Sequence, residues 1–405
     1  MTRDDELADL AADLVAVPTE NPPGDERPCA EFVVDWFESR GIEARLVEKP
    51  SAERAQAVAW VGDDPRDETG GGASDETAGE SADAPTLVLN GHLDVVPAGD
   101  PDEWTHDPFA GVVEDGRLHG RGSADMKTNL AAAMLTVRDL APEIESGDLD
   151  GTLVFHGAMG EETGHPGTRT LIEAGYGGDC AVVLEPTDFR VGTSGKGVVT
   201  YRVGVSGSAS HASRPDQGTN AIDAARPVLD AVDEYDDRLR ERTDPLVGRA
   251  YATVTEFEAG TDSNMAVLPG RAEFLLDRRI LPDERFEAVE GEIETLLAEV
   301  EREADVETDL SLVKHYASAG IDPDHPLAER FRRLSAESAD APREPWGLEA
   351  ATDAREFVAA GTPAIIWGPG NLAQAHAVDE YIDLADAATG LDILTDGVRG
   401  VLSDE

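Results

Sequence analysis

Cysteine, lysine and long apolar runs are scarce in this sequence of 405 residues. The two cysteines, Cys29 and Cys180, are too few to build a disulfide framework in a chain of this length. We therefore expect a reducing, cytoplasmic compartment. No apolar run approaches the length that a membrane-spanning helix needs, and the acidic first residues lack the basic and apolar regions of a signal peptide.

Positive charge is also scarce. Asp and Glu number 84 against 33 Lys and Arg, which gives a formal net charge of -51, and lysine stands only at positions 49, 127, 196 and 314. An acidic, lysine-poor surface is typical of proteins from salt-loving organisms, in which high ionic strength screens the self-repulsion. We expect the melting temperature to rise steeply with molar salt, and we expect neither nucleic acid nor an anionic membrane as a partner.

Hydrophobic residues make up 40% of the chain, as in a globular protein, and the length allows two or three domains. The segment 63–84 differs from the rest because it consists almost wholly of Asp, Glu, Gly, Ser, Thr and Ala. Such a segment cannot bury enough apolar surface to become ordered. We predict a mobile acidic loop on the surface.

The apolar run 86–89 predicts a buried strand, and His92 and Asp94 follow where that strand should end. Ligands of α/β sheets bind at the carboxyl ends of strands. Residues two apart in an extended backbone face the same way, so a carboxylate there can fix the ring and tautomer of a metal-binding imidazole. On this spacing alone, a loop with a surface histidine and a capping aspartate is the better interpretation.

Further acidic residues follow later strands and turns. Asp125 stands at a glycine-rich turn before an apolar helix, the pair Glu161-Glu162 follows the next predicted strand, and Glu185 follows the one after. A helix cap also explains Asp125, and adjacent acids are common in a chain that has 84 of them. Three successive strands nevertheless place His92, the glutamate pair and Glu185 at one edge of one sheet.

The middle of the chain has a different pattern. Residues 195–313 predict the order β-α-β-β-α-β, which is that of a ferredoxin-like unit. We predict an inserted α+β domain at 193–314, within an α/β domain that residues 1–192 and 315–405 form together.

Two imidazoles and three carboxylates together match a pair of divalent ions that share one bridging carboxylate and keep open positions for water. These residues are His92, Asp125, Glu162, Glu185 and His376. Nitrogen and oxygen ligands suit zinc, for which cobalt or manganese can substitute. Glu161 is left without a metal, in the position that a general base requires, and the chemistry this implies is amide hydrolysis.

In its motifs the chain resembles the dinuclear-zinc family of acetylornithine deacetylase, succinyl-diaminopimelate desuccinylase, aminoacylase and glutamate carboxypeptidase. Five motifs occur in the order and spacing of that family, and they extend nearly from end to end. They are Gly91-His92-Leu93-Asp94-Val95-Val96-Pro97, Gly120-Arg121-Gly122 through Asp125-Met126-Lys127, Glu161-Glu162, Glu185-Pro186, and Gly368-Pro369-Gly370 followed by His376.

The resemblance implies a role for each of these residues. It assigns one metal ion to His92 and Glu185 and the other to Glu162 and His376, with Asp125 as the bridge. It makes Asp94 the residue that orients His92, and Glu161 the general base. It also implies a zinc-peptidase-like domain with a central mixed sheet flanked by helices, and an inserted domain that acts as lid and dimerisation domain.

The segment around Ser210-His211-Ala212 is similar to the lid motif of this family. The resemblance implies that His211 reaches an active site, commonly that of the other subunit of a homodimer, and stabilises the oxyanion. It also indicates Asn264, Arg279 and Arg355 as groups that hold the substrate carboxylate. A solvated surface charge is the other interpretation of each arginine.

The expected reaction is hydrolysis of an N-acyl amino acid, of the acetylornithine or succinyl-diaminopimelate type. A dipeptidase or carboxypeptidase is the alternative within enzymes, since the metal chemistry is the same for any amide. An inactive relative that binds metal and an acyl amino acid is the alternative outside them. Glu161 argues against this last possibility, because a binding protein needs no base.

Overall fold

A computed structural model describes residues 2–66, 84–164, 166–260 and 265–403. The chain forms two compact units. The first unit comprises residues 1–193, 321–346 and 352–405, and the second unit comprises 194–320 and 347–351. Most of the acidic segment predicted at 63–84 lies outside the described residues. Within the described part of the chain, no helix is long and apolar enough to span a bilayer.

The helices and strands are numbered here in chain order. The α-helices α1 to α9 are Arg3–Val15, Arg27–Glu38, Thr128–Ser146, Gly167–Leu171, Ala221–Leu239, Phe286–Ala304, Pro326–Ala339, Ala354–Ala359 and Leu384–Leu402. The strands β1 to β9 are Glu43–Val47, Gln56–Val61, Thr86–His92, Val112–Glu114, Arg117–His119, Thr152–Ala158, Cys180–Val183, Gly192–Gly195 and Gly197–Ser206. The strands β10 to β18 are Thr243–Asp244, Gly248–Arg249, Tyr251–Ala259, Arg271–Ile280, Thr308–Tyr316, Ala319–Gly320, Trp346–Leu348, Ala364–Ile366 and Tyr381–Asp383.

Helix α1 shows how local sequence sets an element. Thr2 and Asp5 form a capping box, in which each side chain accepts a hydrogen bond from the backbone N–H of the other. The residues Leu7, Leu10 and Leu14 then share one face, and all three are buried. The helix ends at Val15, before Pro18.

The central sheet of the first unit is mixed. Its strands lie in the order β1-β2-β6-β3-β7-β17. Strands β6, β3, β7 and β17 are parallel to one another, whereas β2 pairs antiparallel with both β1 and β6. Both faces of β6 are buried, because Leu153 and Phe155 join the main core while Val154 and His156 are buried as well. The parallel strands β3, β6 and β7 end at the same edge of the sheet, where the site residues follow them.

The second unit is an antiparallel sheet in the order β12-β13-β9-β14, with α5 and α6 packed on it. Tyr201 and Phe274 on the sheet, Val228 on α5 and Ile293 on α6 belong to its core. The order of elements along the chain is β-α-β-β-α-β. The predicted fold class, an α/β unit with a central mixed sheet flanked by helices and a ferredoxin-like α+β unit, is confirmed.

Candidate metal centre

His92 is the last residue of β3, and its side chain is buried. Its Nδ1 lies 2.9 Å from the backbone carbonyl oxygen of Asp94. A carbonyl can only accept, so Nδ1 carries the proton and Nε2 is left to bind a ligand. Nε2 lies 3.2 Å from Asp125 Oδ1. Burial lowers the pKa of His92, but the hydrogen bond and charge of Asp125, with the charges of Asp94 and Glu185, raise it well above its ordinary value.

Asp94 therefore contacts His92 mainly through its backbone, since its carboxylate Oδ1 is 3.7 Å from Nδ1. The carboxylate serves the turn after β6 instead. Oδ1 accepts hydrogen bonds from the backbone N–H of Gly160 at 2.9 Å and of Glu161 at 3.1 Å, and Oδ2 accepts one from Glu162 at 3.2 Å. These hydrogen bonds join residues that are 66 to 68 positions apart in the sequence, and no local motif predicts them.

Asp125 lies in an irregular turn, Ser123–Lys127, in which its own backbone departs from helical geometry (φ -123°, ψ 89°). Gly122 precedes this turn with φ 86°, a conformation that glycine adopts without strain. The two carboxylate oxygens of Asp125 face different imidazoles. Oδ1 lies 3.2 Å from His92 Nε2, and Oδ2 lies 3.6 Å from His376 Nε2. One carboxylate between two imidazoles is the arrangement that a bridging ligand needs.

Glu162 completes this group from the turn after β6. Its Oε2 lies 3.0 Å from His376 Nε2. Ligand atoms of His92, Asp125 and Glu162 all lie within 4.8 Å of one another. Burial raises the pKa of Glu162, although its hydrogen bond to His376 lowers it.

Glu185 follows β7 and is buried. Burial, and next the charge of Asp125, raise its pKa to about 8. Burial also raises the pKa of Glu161 well above its ordinary value, and the charges of Glu185 and Asp353 add to that rise. The carboxylates of Asp125, Glu161, Glu162 and Glu185 repel one another, and burial of these groups removes water that would otherwise screen the repulsion. The donor set therefore fits divalent cations, which would offset that repulsion.

Arg355, predicted to hold a substrate carboxylate, is 5% exposed and lies beside Glu161, with 3.8 Å between Nη1 and Oε1. It also lies 3.4 Å from Asp353 and 3.1 Å from Glu356. Asp353 is buried and accepts a hydrogen bond from Thr168 Oγ1 at 2.6 Å. Sequence reasoning missed Asp353, although its position two residues before Arg355 was a usable signal.

Sequence reasoning also missed Glu380. This glutamate is fully buried and pairs with Arg121 Nη1 at 2.6 Å. Its position four residues after His376 was the available signal, but one more acid stood out little in so acidic a chain.

The second unit carries the remaining predicted residues. His211 is exposed, and its Nδ1 accepts hydrogen bonds from the backbone N–H of Ser213 at 3.1 Å and from the Ser213 hydroxyl at 2.8 Å. Arg279 pairs with Asp277 at 2.8 Å. Asn264 lies outside the described residues.

Comparisons with known proteins give the following similarities. The sequence profile of the peptidase family M20/M25/M40 matches residues 88–399. Probable succinyl-diaminopimelate desuccinylase from Staphylococcus epidermidis is 26% identical over 420 residues, which cover 97% of this chain and 97% of that protein. N-formyl-4-amino-5-aminomethyl-2-methylpyrimidine deformylase from Bacillus subtilis is 28% identical over 356 residues, which cover 78% of this chain and 79% of that protein. The crystal structure of an M20 family metallo-carboxypeptidase from Sulfolobus solfataricus has a TM-score of 0.76 at 17% identity and covers 100% of both chains, which shows the shared fold.

Proposed function

The chain belongs to the peptidase family M20/M25/M40, and we propose that it hydrolyses the amide bond of an N-acyl amino acid with two divalent metal ions. Zinc is the proposed metal, with cobalt or manganese able to replace it. The observation that carries the proposal is the position of Asp125, whose two oxygens face His92 and His376 separately. The proposed ligands are His92 and Glu185 for one ion, and Glu162 and His376 for the other, with Asp125 shared.

When bound, the ions supply Lewis acidity, which makes water nucleophilic near neutral pH and polarises the amide carbonyl. Glu161 is the proposed general base. It takes a proton from the attacking water and passes it to the leaving amine. Its position supports this role, because it directly precedes the proposed ligand Glu162 and its Oε1 lies 3.8 Å from the Arg355 guanidinium. Arg355 lies beside Glu161 with its guanidinium nearly buried, and it is a proposed contact for the substrate carboxylate, with Asn264 and Arg279.

His211 is the proposed oxyanion donor. The backbone N–H of Ser213 can only donate, so His211 Nδ1 is an acceptor and the neutral ring carries its proton on Nε2. Nε2 is then a hydrogen-bond donor, as stabilisation of a developing oxyanion requires. We propose further that the protein is a homodimer formed through the second unit, and that His211 acts in the active site of the other subunit.

The proposed substrate class is inferred from the names of the two relatives reported above. The two curated relatives are a desuccinylase and a deformylase by name. Both names describe removal of an acyl group, which supports an N-acyl substrate of the succinyl-diaminopimelate or acetylornithine type. A dipeptidase or carboxypeptidase of the same family is the second candidate, since the same metal chemistry cleaves a peptide bond.

The test is amine release by purified, metal-loaded protein in high salt. The panel comprises N-acetyl, N-succinyl and N-formyl amino acids together with dipeptides. Hydrolysis of one or more acyl amino acids supports the proposal. Hydrolysis confined to dipeptides would favour the second candidate, and binding without any hydrolysis would indicate an inactive relative.

A further inference from the structure

Glu380 is a buried carboxylate that is not among the proposed metal ligands. It directly precedes β18, and the four hydrogen bonds that its carboxylate accepts from described residues all come from one short stretch of chain. Oε2 accepts from Arg121 Nη1 at 2.6 Å and from the backbone N–H of Gly122 at 3.1 Å. Oε1 accepts from the backbone N–H of Ala124 at 2.9 Å and of Asp125 at 3.1 Å. The stretch is the turn that presents Asp125.

Arg121 extends these contacts to a second proposed ligand. Its Nη2 donates to the backbone carbonyl of His376 at 3.4 Å, and its guanidinium lies over the ring of Trp104, 5.1 Å from the centroid. Both side chains of the pair are nearly inaccessible, at 3% for Arg121 and 1% for Glu380. We call these two residues the Glu380–Arg121 pair. It connects the turn that carries Asp125 with the segment that carries His376.

The turn needs an acceptor from outside because its backbone is irregular. Asp125 and Met126 depart from helical geometry, and the N–H groups of Gly122, Ala124 and Asp125 point to Glu380. A buried backbone N–H without a partner is costly, and a carboxylate is the strongest acceptor available among side chains. A buried carboxylate needs a cation in turn, which Arg121 provides.

We propose that the Glu380–Arg121 pair consists of positioning residues, which hold Asp125 and His376 at the spacing that two metal ions require. This inference rests on the proposed function, because it presumes the two-ion centre. Substitution of a residue that orients a metal ligand through hydrogen bonds typically lowers metal affinity by about 10- to 100-fold. Loss of the pair should weaken the ion held by Glu162 and His376 most, because both Asp125 and His376 depend on it.

The test compares wild-type protein with Glu380→Gln and Arg121→Lys. Glutamine keeps the shape of the side chain but replaces one acceptor oxygen with a donor. Lysine keeps the cation but cannot contact both Glu380 and the His376 carbonyl as the guanidinium does. The matched control is Glu284→Gln in the second unit, since Glu284 likewise accepts from arginines, Arg278 and Arg242, and from a backbone N–H.

Each chelator-treated protein is titrated with Zn²⁺ by calorimetry and with Co²⁺ by visible absorption, after circular dichroism has verified its fold. We expect two ions in wild type and in the control, and a second ion bound about 10- to 100-fold more weakly in both variants of the pair. If Glu380→Gln fails to fold, the metal titration of Arg121→Lys alone tests the inference. Wild-type affinity for both ions in the folded variants would overturn the inference and leave the proposed function intact. A wild-type chain that binds no ion would overturn both.

Discussion

The carboxylate of Asp94 accepts a hydrogen bond from the backbone N–H of Glu161, with 3.1 Å between Asp94 Oδ1 and the Glu161 nitrogen. The backbone carbonyl of the same residue accepts a hydrogen bond from His92 Nδ1. One aspartate, two residues after β3, therefore forms hydrogen bonds both to the imidazole of a proposed ligand and to the turn that carries the proposed base. The two functions use different atoms, so a side-chain substitution separates them.

Asp94→Asn should keep His92 in place and disturb Glu161. The amide has one acceptor oxygen where the carboxylate had two, although three backbone N–H groups of residues 160–162 require acceptors. We expect kcat to fall about 10- to 100-fold, as for other groups that orient an active site from behind. Steady-state kinetics measure the loss, and metal titration checks that the ions remain. Asp94→Asn with wild-type kcat would show that the turn needs no carboxylate.

The sequence predicted the fold well wherever periodicity was strong. The strand predicted at 86–89 is part of β3, and the order β-α-β-β-α-β predicted for 195–313 is that of β9, α5, β12, β13, α6 and β14. Helix α7 was missed although its signals were present. Pro326 stands at the first turn, and Leu327, Ala328 and Phe331 are spaced as one buried helical face. Its otherwise charged sequence concealed them.

The residues of the proposed site likewise differ in how far the sequence could predict them. His92, Asp125, Glu162 and His376 lie together, and each could be found because a strand end or a glycine-rich turn presents it. The residues that form hydrogen bonds to the segments carrying these side chains could not be found in the same way. Glu380 acts through hydrogen bonds to a turn far away in the sequence, and such contacts leave no local pattern. The assigned roles of all these residues stay predictions until they are measured.

Glu161→Gln should lower turnover by orders of magnitude while the protein still binds its ions. The amide cannot accept the proton of the attacking water, and general-base catalysis typically contributes about 10²- to 10⁴-fold to the rate. We therefore expect kcat to fall by at least that factor, with bound metal unchanged by elemental analysis. Glu143→Gln, a surface carboxylate paired with Arg399, is the control and should keep wild-type kcat. Near-normal turnover of Glu161→Gln would require another base.

His211→Ala should lower kcat by about 10²- to 10³-fold, the usual effect of removing one oxyanion donor. Mixing this variant with Glu161→Gln tests whether His211 acts across a dimer. In a mixed dimer, one active site then combines an intact Glu161 with an intact His211. Restored turnover supports action across the dimer. A verified mixed dimer without activity would mean that each subunit relies on its own His211.

His156 should make the first unit sensitive to acid. It is buried on β6, its Nε2 lies 2.8 Å from the Tyr176 carbonyl, and burial lowers its pKa to about 4. The unfolded chain has the ordinary pKa of about 6.5, so it binds the extra proton first as pH falls. The contribution of this residue to stability is complete above pH about 6.5 and is lost below it at about 1.4 kcal/mol per pH unit, until the folded pKa is reached.

The measurement is the free energy of unfolding by denaturant at pH 7, 6 and 5, for wild type and for His156→Gln. The difference between the two proteins isolates this residue from the many acids that titrate in parallel. We expect the stability of the glutamine variant to fall less steeply with decreasing pH. Identical slopes would show that His156 becomes protonated without cost in the folded chain.

Turnover as a function of metal equivalents shows whether amide hydrolysis by this protein requires two metal ions. Protein stripped by a chelator, with bound metal verified as absent, receives Zn²⁺ stepwise while release of amine from an N-acyl amino acid is followed. We expect no turnover without metal and a rise that reaches its plateau by about two equivalents per chain, as in two-metal sites. Release of amine by the metal-free protein would contradict this expectation.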